Sequence, residues 1–228
     1  MKKSLKPPRQ IVAIGLAVIW LISPNAADAK TADQPQSHKP TKQETAKHET
    51  AIVAGGCFWC VEADFDKVPG VLATISGYIG GHTKKPTYKE VTQQDTGHYE
   101  AVKITFDPKK LSYEKLLHIY WRTIDPTDRT GQFCDKGPSY KTAIFVLNTQ
   151  QKASAEQSKA KEQTKGKLKG QIVTPILQAG TFYKAEAYHQ NYYQRNKWRY
   201  SYYRTSCGRD RRVKALWGQE AYHGLIGK

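Results

Sequence analysis

Long hydrophobic runs are the first thing this 228-residue sequence lacks. Its longest apolar stretch, Ile11 to Ile22, covers 12 residues, whereas a membrane-spanning helix needs about 20. The stretch follows Lys2, Lys3, Lys6 and Arg9 and precedes Ala27-Asp28-Ala29, the arrangement of a secretory signal peptide with a small-residue cleavage site. Residues 1–29 are therefore expected to be removed, leaving a soluble chain with no stable membrane insertion, periplasmic or secreted. A retained N-terminal anchor is the weaker alternative. Acidic residues are also scarce, 20 against 36 lysines and arginines, for a net charge of +16, of which +13 remains without the leader. Such an imbalance attracts polyanions. The charges, however, are spread over a predicted surface helix and the C-terminal tail, and an exported protein seldom meets nucleic acid, so a solvated basic surface is the simpler reading and no nucleic-acid partner is expected.

Internal repeats are missing too, and the four cysteines and seven histidines show no set of three or four ligands at metal spacing, so no metal is expected. Four cysteines in an exported chain could form two structural bridges. Against this, Cys57 and Cys60 are so close that a bridge between them would constrain little of the unfolded chain. Residues 30–49 carry Lys, Thr, Gln, Glu, His and Pro with almost nothing apolar beyond alanine, which predicts a flexible linker. The remainder, 50–228, suits one domain, which at that size buries roughly 70% of the unfolded chain's surface without staples.

Within that domain, Ala51-Ile52-Val53-Ala54 reads as a strand, the Gly55-Gly56 pair as a tight turn, and 58–68 as a helix. A strand over 71–78 runs into a glycine-rich loop at Gly80-Gly81-His82, which continues to Thr96-Gly97-His98; a loop that long in a compact domain is usually functional. Val102, Ile104 and Phe106 share one face of a strand over 99–106, and 112–122 reads as a helix. A polar loop over 123–140, a strand over 142–147, a Lys/Gln/Ala-rich helix within 152–169 and a strand over 172–177 interrupted by Pro175 follow. The order strand, helix, strand, strand, helix, strand predicts an α+β fold, a two-layer ferredoxin-like (split βαβ) sandwich with a mixed sheet. The tyrosine-dense segment from Tyr183 onward is expected to wrap this domain as a long tail.

Cys57 falls at the start of the first helix, where unpaired N–H groups favour thiolate over thiol, and Cys60 lies one turn on, on the same face. Redox chemistry at sulfur is the direct implication. Phe58 and Trp59 could floor an apolar pocket beside the sulfur or serve as ordinary core. The Cys-x-x-Cys pair alone would suit a thioredoxin-like thiol-disulfide oxidoreductase, and a basic binding module stapled by two disulfides is the non-enzymatic alternative.

Five motifs narrow the choice. Gly56-Cys57-Phe58-Trp59, Ser76-Gly77-Tyr78-Ile79-Gly80-Gly81, Pro86-Thr87-Tyr88-Lys89-Glu90-Val91, Thr96-Gly97-His98-Tyr99-Glu100-Ala101-Val102 and Ala187-Tyr188-His189-Gln190-Asn191-Tyr192 together resemble the peptide methionine sulfoxide reductase A family over 52–217. The resemblance implies that Cys57 attacks the sulfur of methionine S-sulfoxide, in peptides or free. It implies that Glu100 protonates the sulfoxide oxygen, that Tyr88 and Tyr140 donate hydrogen bonds to it, that Asp135 belongs to the site, and that Phe58 and Trp59 hold the methyl group. A carboxylic acid that donates near neutrality needs a raised pKa, which burial against aromatic rings supplies. Cys57 would be left as a sulfenic acid that condenses with a second thiol. Relatives of the better-known branch have glycine where Cys60 stands and draw the second thiol from the tail. Here Cys60 is the nearest thiol, and a Cys57–Cys60 disulfide is expected, re-reduced by an external thioredoxin-like dithiol with no bound cofactor. Cys134 and Cys207 either pair structurally or serve as recycling thiols. His189 and Asn191 are expected to be structural, and the chain is expected to act as a monomer repairing oxidised exported proteins.

Overall fold

Fifteen strands and helices and their connections are described by a computed structural model that covers residues 48–165 and 168–227. The expected signal peptide and positions 30–47 of the expected linker lie outside these residues, which fall within one compact unit, Glu44–Lys228. In chain order the elements are β1 (Glu49–Gly55), α1 (Phe58–Phe65), β2 (Val71–Ile79), α2 (Tyr88–Gln93), β3 (Tyr99–Phe106), α3 (Tyr113–Trp121), β4 (Gly131–Gln132), β5 (Asp135–Lys136), β6 (Thr142–Val146), α4 (Thr149–Thr164), β7 (Ile176–Gln178), β8 (Tyr183–Lys184), α5 (Tyr192–Arg195), α6 (Lys197–Ser206) and α7 (Arg209–Trp217). Glu49 already pairs with Phe106, so β1 begins at the last residue of the expected linker.

One sheet carries the fold, in the order β7-β6-β1-β3-β2-β8. Its four long strands run antiparallel, and β7 joins β6 in parallel. The succession β1, α1, β2, β3, α3, β6 with β6 beside β1 and β1 beside β3 is the split βαβ sandwich predicted from the sequence. Strand alternation divides the core. Ala51, Val53, Val102, Ile104 and Ile144 face the helices, together with Phe58, Val61 and Phe65 of α1 and Leu116, Leu117 and Tyr120 of α3. Ile52, Ala54, Ala101, Ala143 and Phe145 face the other way into a smaller cluster roofed by Leu177, Ala179 and Phe182.

Several expectations need adjustment. The first helix stops at Phe65 instead of reaching Val68, and the strand expected over 172–177 pairs only from Ile176, after Pro175, because proline cannot donate to a ladder. The loop over 80–98 contains α2, whose start is a capping box: Thr87 accepts from the Glu90 amide and the Glu90 carboxylate accepts from the Thr87 amide. The tail does wrap the domain, but as three helices, α5 to α7. Helix α7 sends Val213 and Trp217 into the main core, and buried charge does the rest of the docking. The Arg204 guanidinium meets Asp64 of α1 at 3.0 Å and Asp210 at 2.7 Å, and the Asn191 amide donates to Glu62 of α1 at 2.9 Å. Arg204 and Arg209 are therefore buried and not part of a solvated basic surface.

Candidate active site

The turn between β1 and α1 sets the site. Gly56 has φ +81°, and a Cβ there would sit 2.5 Å from the Gln132 Cβ, so only glycine fits both the left-handed backbone and the approach of β4. This turn makes Cys57 the N-cap of α1, and the Cys57 carbonyl accepts from the Cys60 and Val61 amides at 3.1 and 3.3 Å. Cys57 and Cys60 are both buried and both free. The Cys57 thiol donates to the Cys60 sulfur.

Their protonation differs from the sequence expectation of a Cys57 thiolate. Burial pushes the Cys57 thiol well up, aided by the Cys60 sulfur, Glu100 and Asp135, and this outweighs the helix start. Cys60 is brought down to about 7 because it accepts the Cys57 hydrogen bond and lies in the field of Arg209 and Arg204. Arg209 is held in place by donating to the Gly55 carbonyl at 2.6 Å and the Thr123 carbonyl at 3.1 Å. Of the two thiols, Cys57 thus holds its proton and Cys60 gives its proton up more readily.

Glu100, the second residue of β3, is 1% exposed. Its Oε2 accepts from the Phe58 amide at 2.9 Å, so the first helical N–H beyond Cys57 fixes the carboxyl beside the thiols. Burial nevertheless prevails and raises it to about 8, with Asp135 and Cys60 adding to the rise; a carboxyl at that value keeps its proton near neutrality. Tyr88, at the start of α2, and Tyr140, at the end of the single turn Pro138–Tyr140, hydrogen-bond each other and both feel the Glu100 charge. Burial pushes Tyr88 up to about 12 and Tyr140 further, so both stay protonated donors. Asp135 accepts from the Tyr203 hydroxyl of α6, and burial raises its carboxyl as well.

The aromatic pair after Cys57 divides. The Phe58 ring lies in the core, 5.9 Å from Tyr78, 6.4 Å from Tyr88 and 4.9 Å from His189. Trp59 is half-buried, stacks on Tyr192 at 3.8 Å and donates its indole N–H to His189 Nδ1 at 3.0 Å. A cavity of about 640 Å³ opens beside it, walled by Tyr192, Tyr202 and Tyr203. His189 accepts the Trp59 indole bond while packing on Phe58 and Tyr88, and burial holds its pKa down. His98 is bonded to the Thr83 carbonyl at 2.8 Å and the Gly81 amide at 3.1 Å.

The structure thus brings Cys57, Cys60, Phe58, Trp59, Tyr88, Glu100, Asp135 and Tyr140 together. The disulfide lies elsewhere: Cys134 and Cys207 are bonded to each other, while the pair expected to bridge, Cys57 and Cys60, is reduced. Among the described residues the one trio of Cys, His, Asp or Glu close enough to share a metal ion is Cys134, Asp135 and Cys207, whose sulfurs are joined. Sequence reasoning missed Glu186, which accepts from the Tyr88 amide and the Tyr78 hydroxyl, each at 2.8 Å, and the paired arginines 204 and 209. Their signal was available in the tail, where charged residues stand among tyrosines, but it read as surface.

Two buried free thiols one helical turn apart, beside an acid that keeps its proton at neutral pH, are equipped for two-electron chemistry at sulfur, which places the chain among thiol-dependent oxidoreductases. Comparison with known proteins narrows that class. A family model described as peptide methionine sulfoxide reductase matches residues 49–221. Peptide methionine sulfoxide reductase MsrA 2 of Caulobacter vibrioides is 56% identical over 172 residues, 75% of this chain and 87% of its own. Peptide methionine sulfoxide reductase MsrA of Bacillus licheniformis is 53% identical over 76% of this chain and 96% of its own. Among solved structures, methionine sulfoxide reductase A of Corynebacterium diphtheriae aligns with a TM-score of 0.59 at 32% identity, covering 66% of this chain and 76% of that one. Reduced Mxr1 of Saccharomyces cerevisiae aligns at 0.63 and 29% identity, covering 70% and 91%. The chain belongs to the peptide methionine sulfoxide reductase A family and is an oxidoreductase of the peptide-methionine (S)-S-oxide reductase type.

Proposed function

We propose that this enzyme reduces the S epimer of methionine sulfoxide, in oxidised proteins and free, with Cys57 as nucleophile and Glu100 as acid. The observation that carries this reading is the Glu100 carboxyl, buried, raised to about 8 and tied to the amide of the residue after Cys57. Attack on the substrate sulfur drives charge onto the sulfoxide oxygen, a poor leaving group until it is protonated, so an acid poised near operating pH is the group the reaction demands. The Cys57 proton passes to the Cys60 sulfur, which already accepts it, as the Cys57 sulfur bonds to the substrate. Glu100 delivers a proton to the oxygen, and Tyr88 and Tyr140 donate to it. The products are the thioether and Cys57 sulfenic acid. Cys60 then attacks the Cys57 sulfur, water departs, and a Cys57–Cys60 disulfide remains. An external thioredoxin-like dithiol returns both thiols and ends as a disulfide itself, so each sulfoxide consumes two electrons and no bound cofactor is required. Phe58 and Trp59 offer apolar contact for the substrate's methyl group.

The two sulfur epimers of N-acetyl-methionine sulfoxide, supplied separately with dithiothreitol, test the reading: the S epimer is consumed and the R epimer is not. Consumption of both or of neither would refute it. Cys57→Ser abolishes turnover, whereas Cys60→Ser still yields about one methionine per chain before stalling, the burst that a covalent intermediate leaves. Export to a periplasm or the medium is supported by the basic and apolar leader; N-terminal sequencing of the exported protein is expected to begin at Lys30.

A further inference from the structure

The Cys134–Cys207 disulfide spans 73 residues of chain and joins the turn between β4 and β5 to the C-terminal end of α6. The residues next to each half-cystine are what give the bridge its interest. Asp135 directly follows Cys134. Tyr203 lies one helical turn before Cys207 and donates its hydroxyl to that same Asp135. The Cys134 amide points at the Cys207 sulfur at 3.2 Å, and the two sulfurs stand 3.7 and 3.8 Å from the Asp135 carboxylate oxygens. A covalent link and a hydrogen bond thus tie the same two segments at neighbouring positions, with a site carboxyl between them. On the far side of this turn, Phe133 is left-handed at φ +59° and lies under the Arg209 guanidinium at 4.5 Å, so a conformation that costs a non-glycine residue of order 1–3 kcal/mol is over-determined by its surroundings. The charge on Asp135 reaches Cys57, Glu100, Tyr88 and Tyr140.

The reactive thiols have no need of this bridge. Cys60 lies one helical turn from Cys57 and hydrogen-bonds it, so a resolving thiol is in place before any reaction, and the other two sulfurs are occupied by each other. We propose that the Cys134–Cys207 disulfide stays closed through turnover and acts as a clasp that positions Asp135 and Tyr203 against the site, leaving Cys57 and Cys60 as the sole cycling pair. The assignment rests on the reading of Cys57 as nucleophile and Cys60 as its resolving partner, and it takes Cys134 and Cys207 out of the recycling role that the sequence left open. The electron count is complete without them: the sulfoxide accepts two electrons, the Cys57 and Cys60 thiols supply both, and the clasp neither gives nor takes any.

Linkage mapping tests the cycling pair. Protein with two free thiols is mixed with excess N-acetyl-methionine S-sulfoxide and no reductant, quenched with an alkylating reagent and mapped by peptide mass spectrometry. One methionine per chain with Cys57–Cys60 and Cys134–Cys207 linkages is the expected result. A crossed linkage between the two pairs would overturn the clasp alone, and absence of methionine would overturn the reading beneath it. The positioning role is tested with Cys134→Ser combined with Cys207→Ser. This double variant still yields one methionine per chain, but its first-step rate falls on the order of tenfold, the scale of a sub-ångström misplacement. The basic limb of its pH profile also moves to lower pH, since Asp135 is one of the charges that raises Glu100. Tyr203→Phe keeps the bridge, removes only the hydroxyl and shifts the limb in the same direction, which separates positioning from a folding defect. An unchanged rate and limb in both variants would refute the clasp.

Discussion

In the proposed mechanism, Glu100 and Cys60 are the two side chains whose protonation brackets the reaction. Cys60, lowered to about 7, is competent to take the Cys57 proton above that pH, and Glu100, raised to about 8, keeps the proton it must donate below that pH. The S-sulfoxide kcat/KM is therefore expected to rise through about pH 7 and fall through about pH 8, read in a series of buffers at constant ionic strength. Glu100→Gln preserves the acceptor for the Phe58 amide while removing the acid. We expect it to lower the single-turnover rate by about 10²-fold or more and to erase the limb near pH 8; a fall in rate with that limb intact would assign the acid to another group. Most of these residues were legible in the sequence, because Cys57, Tyr88 and Glu100 each sit inside a motif that glycine, proline or a neighbouring aromatic marks out. The charge state of the thiols was not legible. A helix start predicts thiolate at Cys57, and only the three-dimensional neighbourhood shows that burial and two nearby acids reverse the preference.

At the level of elements, the strands announced themselves and the tail did not. β1, β3 and β6 carry Val, Ile, Phe and Ala at positions that face one cluster or the other, and period-two alternation is enough to find them. Helix α6 follows a different logic, since it is held to the body through Arg204, whereas α7 adds Val213 and Trp217 to the main core beside Arg209. Periodicity arguments look for apolar stripes and pass over a helix docked by ion pairs. Asp64 is fully buried within α1, and Arg204 is the cation that meets it. Arg204→Ala strands this carboxylate without a cation, and a buried pair broken on one side costs about 3–5 kcal/mol; urea unfolding at neutral pH measures it, and a loss below about 1 kcal/mol would mean that the pair is more solvated than its geometry implies. The edge at β7 shows the opposite kind of miss, where an apolar run over 172–177 forms a strand only beyond Pro175.

Across the whole molecule, two buried carboxyls contribute a fall in stability with rising pH, opposed by His118 and His189, whose pKa burial lowers. Glu62 is raised to about 7 and Glu100 to about 8, both by burial, whereas in the unfolded chain each releases its proton near 4.5. Between those values the folded state binds more protons at these two groups than the unfolded state, so their contribution to stability falls as pH rises from about 5 toward 8. Thermal unfolding of Glu100→Gln compared with the parent over that range is expected to show a shallower fall. Methionine occurs once, at position 1, so a chain cleaved after Ala29 contains none of the side chain it repairs. The bridge between Cys134 and Cys207 has one more consequence, for the unfolded chain. Closing a loop of 73 residues removes about 4 kcal/mol of chain entropy from that ensemble, a sizeable share of what a domain of this size has to spare. On the proposed cycle, reducing equivalents would therefore act on this protein in two opposed ways, renewing its activity at one pair of sulfurs and shortening its lifetime at the other, so that a donor that sustains it has to open only the first.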